Sequence, residues 1–510
     1  MKRIVNRNPF MKFHRWLAQK LPLAALGAIA LLIAGCGPEE WIVWAPDGEH
    51  AIVNNGLIDS AGNTFGEALG EKETIAAWLP DSRRVLVGRS VAAESWAEYA
   101  ALLGEERVTI VVEAAGVLGR HIAEHQDALA ELDGTPGFKI WRENLETRGE
   151  RAEAVLYFLD ATRPGLLDPL MEASAKRDAA AAQKQDGGAD ASAPAPTAAT
   201  IREQMGYPQI HELHVRSVGT QGVSDDQLLI RLVDEIGSLT VSPNGRAVAF
   251  VREESADLRL YVMALEAGAQ PVLVQSGADF AAWSPDGQDL AYSKSNIPRR
   301  LQHEKDGLSL GSIARRRVCT PEGAIIAEAE PGEDLAGLIL PEYPARVAWL
   351  PDGRILFAGA KFTLPATTQN LPNGLTLFAL RLHPAPSVEQ LIADTVPSRL
   401  TERVNYFTVS PDGKKVAVLG KAGAVSVLAL DTRTFSTLQD SSPQFAKKGN
   451  DDSMLVPAWR NSDELTYLVP AGDRAGSPER AEVVIASLRG GKRAISKAWP
   501  DAANLPRLEK

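Results

Sequence analysis

One short phrase returns seven times along the chain and narrows what it can fold into more than any other feature. Its fullest copy is Trp283-Ser284-Pro285-Asp286-Gly287, followed by the alternating Gln288-Asp289-Leu290-Ala291-Tyr292. Variants start at Trp44, Trp78, Val241, Trp349 and Val409, and a worn copy runs Trp459-Arg460-Asn461-Ser462-Asp463. Proline presets φ at the first central position of a turn, Asp bonds nearby main-chain groups, and Gly takes the conformation that side chains resist. The phrase therefore reads as strand, tight turn, strand. Apolar residues alternate after it, as in Ile355 and Phe357 or Val416 and Val418, which marks half-buried strands. The leading Trp or Val is expected to wedge between neighbouring sheets.

The motif starts lie 34, 163, 42, 66, 60 and 50 residues apart. Strand-like sequence breaks off near Ser90 and resumes at Tyr207, and removing residues 91 to 206 reduces the outlying spacing to 47. The expectation is an all-β fold, a seven-bladed β-propeller of four-stranded blades with a largely helical insertion in blade two, because a unit repeating at this period builds a radial or solenoid array. The domain reading is a leader at 1–35, blade one and the start of blade two at 36–90, the insertion at 91–206, the rest of the propeller at 207–500 and a tail at 501–510. Within the insertion, 93–104, 119–132 and 166–184 have helix-favouring composition, and Val108–Val112 is β-rich. Residues 179–200 are rich in Ala, Asp, Gly, Ser and Pro, the composition of a flexible or extended tether. The insertion holds 20 acidic and 11 basic residues, which suits an acidic lid or docking arm.

Trp-Ser-Pro-Asp-Gly followed by a strand resembles the repeats of TolB-type, WD40-like (PD40) β-propellers, across roughly residues 41 to 500 apart from the insertion. The resemblance implies the propeller fold and an envelope protein partner, such as a peptidoglycan-associated lipoprotein or another outer-membrane complex subunit. The chain departs from that family in having only a few residues, and no α/β domain, between Cys36 and the first blade strand.

Residues 1–35 carry six Lys or Arg and no acid, and the apolar run Leu21 to Ile33 ends in Ile33-Ala34-Gly35-Cys36. This resembles a bacterial lipoprotein signal peptide, with Cys36 the lipidated residue and the first residue after cleavage. Acyl chains would hold the protein to a membrane, each buried methylene contributing about 0.8 kcal/mol. Gly37 stands where the Asp of an inner-membrane retention signal would be, so an outer-membrane destination is expected, in either its periplasmic or its surface-facing leaflet. The net charge of −11 becomes −17 without the six leader cations, which argues against nucleic-acid binding. Cys319 is the other cysteine, so no intramolecular disulfide accompanies a lipidated Cys36.

With strands lettered A to D outward and the motif turn joining A to B, the B–C and D–A loops share one face of a propeller. Extra length falls in the B–C connections 91–206, 296–307, 361–374 and 471–480, and in the D–A connections 331–344 and 440–453. The other face has tight turns such as Asp431-Thr432-Arg433-Thr434. Binding residues concentrate on loops held by a rigid scaffold, so the elaborated face and the mouth of its central channel are the expected working surface.

Chemistry-bearing motifs are sparse. His121-Ile122-Ala123-Glu124-His125 matches H-x-x-E-H, which on a helix sets two imidazoles on one face. With no third ligand beyond Glu203 or His211 across the tether, no metal site is expected, and His121 and His125 stay as the candidates. His211 and His214 lie in a strand, where their side chains point to opposite faces. Gly307-Leu308-Ser309-Leu310-Gly311 fits G-x-S-x-G but precedes a propeller strand rather than a strand-to-helix turn, so it reads as coincidence. Arg299, Arg300, Arg315, Arg316 and Arg317 bracket the blade-four loop; clustered guanidinium groups grip carboxylates or phosphates, against the alternative of a charge-balanced strand edge.

The resulting expectation is a lipid-anchored cell-envelope β-propeller that acts as a non-enzymatic protein-binding or scaffold module through its elaborated face. Its partners would be the membrane, through the anchor, and an envelope protein, with no cofactor and no nucleic acid. The alternative is a carbohydrate-binding or carbohydrate-active propeller, lyase-like or glycosidase-like, that uses the central channel.

Overall fold

The structure is a computed structural model that describes residues 42–53, 56–65, 73–125, 139–140, 145, 150, 152–173, 208–219, 222–254, 257–295, 309–326, 333–340, 346–359, 376–384, 386–393, 395–396, 403–420, 424–439, 456–470 and 481–494. The chain divides into two compact units, one including residues 91–210 and the other residues 37–90 and 211–510.

The larger unit is a seven-bladed β-propeller. Blade one contains β1 (Ile42–Trp44), β2 (His50–Val53) and β3 (Gly56–Asp59), and blade two β4 (Glu73–Trp78), β5 (Arg84–Ala92), β6 (Gln209–Gly219) and β7 (Gly222–Leu232). Blade three follows with β8 (Ile236–Val241), β9 (Ala247–Glu254), β10 (Asp257–Ala264) and β11 (Val272–Ser276), and blade four with β12 (Ala278–Trp283), β13 (Asp289–Ser295), β14 (Ser309–Arg317) and β15 (Glu333–Leu340). Blade five has β16 (Val347–Trp349), β17 (Ile355–Gly359), β18 (Thr376–Arg381) and β19 (Ser387–Gln390), and blade six β20 (Arg403–Val409), β21 (Lys415–Leu419), β22 (Val425–Ala429) and β23 (Phe435–Gln439). Blade seven closes the series with β24 (Ala458–Asn461), β25 (Glu464–Pro470), β26 (Ala481–Ser487) and β27 (Lys492–Ala494).

Every sheet is antiparallel with its strands in sequential order, blade two being interrupted by the insertion, and is covered on both faces by its neighbours. In blade five, Leu356, Ala358, Leu377 and Ala379 pack toward Val404, Phe407, Val416 and Val418 of blade six. The alternate residues Ile355, Phe357, Phe378 and Leu380 pack toward Ala291 and Ile313 of blade four. Side chains alternate across a strand, so a strand covered on both faces must be apolar at every position, as Ile-Leu-Phe-Ala-Gly in β17 is.

The repeated phrase links one blade to the next. Ser284 is buried; its hydroxyl donates to Asp286 Oδ1 at 2.5 Å and accepts from the Asp289 amide at 2.9 Å, while Gly287 donates its N–H to the Ser284 carbonyl. Ser410 with Asp412 and Ser242 with Asn244 repeat the arrangement. Three of the motif indoles then donate to the preceding blade: Trp78 to the Val43 carbonyl, Trp283 to the Thr240 carbonyl and Trp459 to the Thr408 carbonyl. Trp44 donates to Thr466 Oγ1 at 2.9 Å and so joins blade one to blade seven. The ring is closed by this bond and by the packing of Ile42, Trp44 and Val53 on Val483 and Ile485, with no strand shared between the two ends among the described residues.

The turns also touch around the rim. A Cβ at Gly245 would stand 3.4 Å from Pro80 Cδ, one at Gly287 would meet Asn244 Nδ2 at 3.0 Å, and one at Gly413 would overlap the Pro351 ring. At the seam a Cβ on Gly48 would stand 2.5 Å from the Arg460 carbonyl oxygen, and Arg460 Nε donates to the Gly48 carbonyl. In the worn seventh copy the glycine position is Asp463, and Lys415 of blade six takes over, its Nζ 2.7 Å from the Ser462 carbonyl and 3.3 Å from Asp463 Oδ1. Turn chemistry accounts for Pro and Gly within a copy, and at Gly48, Gly245, Gly287 and Gly413 the close approach of the previous blade's turn adds a second reason for glycine, which Gly353 lacks.

Three expectations are corrected. Residues 331–344 are not an open D–A connection: 333–340 form β15, which pairs with β14 from Ser309↔Leu340 to Arg315↔Glu333. The long excursion of blade four is instead the C–D connection 318–332, with a Cys319↔Ile325 bridge, so extra length is not confined to one rim. Blade one has three strands among the described residues; after β3, Asp59 accepts from the Ala61 and Asn63 amides, turning the chain so that Thr64 returns to bridge Ile58. Val108–Val112, ambiguous from its β-rich composition, is helical: Val111 joins the buried stripe of the helix, while Val112 is exposed. The expected loops 296–307, 361–374, 440–453 and 471–480 lie outside the described residues, as do the leader, Cys36, the tether and the tail.

The smaller unit contains α1 (Trp96–Leu103), α2 (Glu105–Glu124) and α3 (Ala152–Thr162), with residues 168–173 also helical. Ser95 caps α1 by accepting from the Glu98 amide, while the Glu98 carboxylate reaches back to the Glu94 amide, the reciprocal logic of a capping box. Gly104 (φ 85) ends α1 and lets α2 begin at once. Val111, Ala115, Leu118 and Ile122 form the buried stripe of α2, and Val155, Leu156 and Leu159 that of α3. Trp96, Tyr99, Tyr157 and Phe158 meet as tilted and edge-on rings, and Arg107 grips the buried Glu150 carboxylate with Nε at 2.7 Å. The insertion is thus a folded unit with its own core. No helix among the described residues is long and apolar enough to cross a membrane.

Candidate functional site

The strands that carry the insertion hold an unusual row of charge. On one face of blade two, Glu212 of β6 lies between Arg89 of β5 and Arg231 of β7. Arg89 Nη2 is 2.6 Å from Glu212 Oε2 and Arg231 Nε 2.9 Å from Oε1. Two residues along β6, on the same face, His214 places Nε2 3.1 Å from Glu212 Oε2 and Nδ1 2.7 Å from Asp226 Oδ1, and Arg216 completes the row at Asp226. Burial alone raises the Glu212 carboxyl, but hydrogen bonds from His214 and Arg89 and the charges of Arg89 and Arg231 outweigh it and hold the group below its ordinary range. Burial likewise opposes, and Arg216 with His214 reverses, the shift at Asp226, which is also lowered.

The other face of blade two is polar at the same end. Ser90 Oγ lies 3.0 Å from His211 Nδ1, and His211 and His214 point to opposite faces of β6. Across the interblade space, Glu254 accepts from Tyr261 Oη at 2.6 Å and pairs with Arg252 and Arg259, while Arg252 also reaches Asp234 and lies over the Tyr261 ring. Both interblade faces therefore exchange apolar rows for ion rows where β5 leaves the sheet and β6 returns. Chemically these rows are closed, since each carboxylate is matched by guanidinium or imidazole. The Arg89–Glu212 pair fastens strands 123 residues apart in sequence.

Sequence reading missed this row because the partners flank the insertion and each looks like a lone charge in a strand. The available signal was Arg89, Glu212, His214 and Arg231 at positions that a doubly covered strand would fill with apolar residues.

The arginine cluster is only partly in view. Arg315 pairs with Glu333 at 2.8 Å, Arg317 with Asp289 at 2.8 Å, and Arg316 reaches the Val274 carbonyl of the neighbouring blade. Alternation along β14 sends them to separate partners rather than to one ligand. Arg299 and Arg300 lie outside the described residues, as does Cys36. Ser309 of the G-x-S-x-G match lies within β14.

His121, Glu124 and His125 come together at the C-terminal end of α2. Their potential ligand atoms all lie within 4.8 Å of one another, and the two imidazole centroids are 4.2 Å apart. His121 is buried, Glu124 exposed and His125 half-buried. Burial first, and the neighbouring His125 second, push the His121 imidazole below its ordinary range, against the opposing charge of Glu124.

No protein-family model matches the chain, and no curated protein matches it. Among solved structures it is similar to TolB from Acinetobacter baumannii, at 18% identity over 65% of this chain and 68% of that one, with a TM-score of 0.35. It is similar to a putative TolB from Agrobacterium tumefaciens at 15% identity, over 45% of this chain and 76% of that one, with a TM-score of 0.31. A puromycin-hydrolysing peptidase from Mycobacterium tuberculosis is similar at 14% identity, over 59% of this chain and 44% of that one, with a TM-score of 0.38. Likenesses this distant say nothing of activity or partners.

Proposed function

We propose that this protein is a lipid-anchored β-propeller of the bacterial cell envelope that binds another envelope component without catalysing a reaction. The observation that carries the reading is the independently cored helical unit between β5 and β6, two neighbouring strands of a closed propeller. A propeller sheet tolerates such an excursion when its two flanking strands stay fastened, as the Arg89–Glu212 pair fastens these. The chain thus joins a propeller to a separately folded unit inserted within one blade, and binding residues concentrate on such excursions. Lipidation at Cys36 and an outer-membrane location rest on the signal-like sequence before it. The partner class, a peptidoglycan-associated lipoprotein or another outer-membrane complex subunit, rests on the resemblance of the Trp-Ser-Pro-Asp-Gly repeats to TolB-type propellers.

The test is a cross-linked pull-down from envelopes with the intact lipoprotein and with a version in which Ser90 is joined to Tyr207 by a short linker. Loss of a partner set from the shortened form, with its β-sheet spectrum retained, supports the reading. Retention of the full set removes the arm from it. Palmitate labelling that persists in Cys36→Ser would overturn the anchor.

A further inference from the structure

We propose that His121, Glu124 and His125 form a binding site for one divalent transition-metal ion at the C-terminal end of α2, with one coordination position left open. The three residues stand at i, i+3 and i+4 of a helix, so their side chains leave the same face one turn apart. Three features of the local structure then favour a metal over a solvated polar face.

The first is the fixed tautomer of one ligand. His125 Nδ1 lies 3.1 Å from the main-chain carbonyl oxygen of His121. A carbonyl oxygen only accepts, so Nδ1 carries the hydrogen and Nε2 keeps the lone pair a metal needs. Metal-bound histidines are oriented in this way, with the second ring nitrogen donating to a carbonyl or carboxylate. The second is spacing. Ligand atoms bound to zinc at about 2.0–2.1 Å lie roughly 3–4 Å apart, and here one potential ligand atom from each of the three residues lies within 4.8 Å of the others. The third is the field. The site sits on the last turn of a 20-residue helix, where the unpaired carbonyls give a partial negative charge that favours a cation.

Two imidazole nitrogens and one carboxylate oxygen suit Zn²⁺, Ni²⁺ or Cu²⁺ rather than Ca²⁺ or Mg²⁺, which prefer oxygen ligands. Three protein ligands leave the fourth tetrahedral position for water or for a donor atom from a bound protein, on the side where Glu124 is exposed. The sequence showed the two histidines but suggested a third ligand across the tether; the helix supplies Glu124 instead. The inference does not depend on the proposed function.

The test uses the full-length lipoprotein in detergent, stripped with a chelator and purified without a histidine tag. Zn²⁺ is titrated by calorimetry, and Co²⁺ is added to read the visible bands of a tetrahedral site. The expected result is one Zn²⁺ per chain, with affinity reduced at least about tenfold in His125→Ala and several-fold in Glu124→Gln, the scale on which ligand and supporting residues act. Glu124 is exposed and His125 only half-buried at the helix end, so both variants should keep the wild-type circular dichroism. His211→Gln, in the propeller, should bind Zn²⁺ as wild type does. Absence of stoichiometric Zn²⁺ binding, or affinity unchanged in both His125→Ala and Glu124→Gln, would overturn the proposal.

Discussion

The close approach of one blade's turn to the next can be measured with a matched pair of glycines. Gly353 and Gly413 occupy the same position of the repeated turn, with φ of 85° and 68°. An L-residue there costs roughly 1–2 kcal/mol of left-handed strain at either position. Their surroundings differ: a Cβ at Gly353 meets nothing within 4 Å, whereas one at Gly413 overlaps the Pro351 ring of blade five. Overpacking of this kind adds about 1–3 kcal/mol. Gly413→Ala should therefore be less stable than Gly353→Ala by about that margin. Urea unfolding followed by both tryptophan fluorescence and far-ultraviolet circular dichroism gives the comparison, with coincident curves and equal m-values required before midpoints are compared. In a Pro351→Ala background the excess cost of Gly413→Ala should shrink, because the atoms it overlaps are gone. Equal midpoints for the two single variants would refute the idea that glycine recurs here for inter-blade packing as well as for turn conformation.

Trp44→Phe keeps one aromatic ring but removes the indole N–H bond to the fully buried Thr466 hydroxyl together with some buried volume, and should cost at least about 1–3 kcal/mol; limited proteolysis should then open the chain first near the blade one–seven seam. Glu212→Gln should destabilise at neutral pH by removing the carboxylate that Arg89 and Arg231 share. Because the folded carboxyl is held below its ordinary 4.5, its contribution is present above that pH and lost as pH falls through the folded value. The gap between wild type and variant in pH-dependent denaturation should thus be full at neutrality and close in acid; a gap that widens in acid contradicts the assignment. Cys319 is buried and burial pushes its thiol up to about 11, so a thiol reagent at neutral pH should label it only on unfolding. Rapid labelling of the native protein would show that the blade-four C–D excursion opens.

Much of the propeller was legible because its information is local. Each copy of the phrase carries its own turn, and alternation on either side marks the strands whatever the rest of the chain does. β15 was misread for the complementary reason: Glu333, Asp334, Ala336 and Gly337 between two prolines resemble a loop, and only the ladder offered by β14 makes them a strand. The candidate metal cluster was half legible, since H-x-x-E-H names its residues, but the 4.2 Å approach of the two rings and the carbonyl that fixes His125 belong to α2 as folded.

The sequence by itself determined seven turn-and-strand repeats, the place where they are interrupted and the apolar character of doubly covered strands, because turn conformation and side-chain alternation act over a few residues. Tertiary structure decided how the ring closes, through Trp44 on Thr466 and Arg460 on Gly48, and how the strands flanking the insertion stay joined, through Glu212 between Arg89 and Arg231. Those bonds link residues up to 422 positions apart. Their partners become neighbours only once the blades have packed, so no local pattern could announce them.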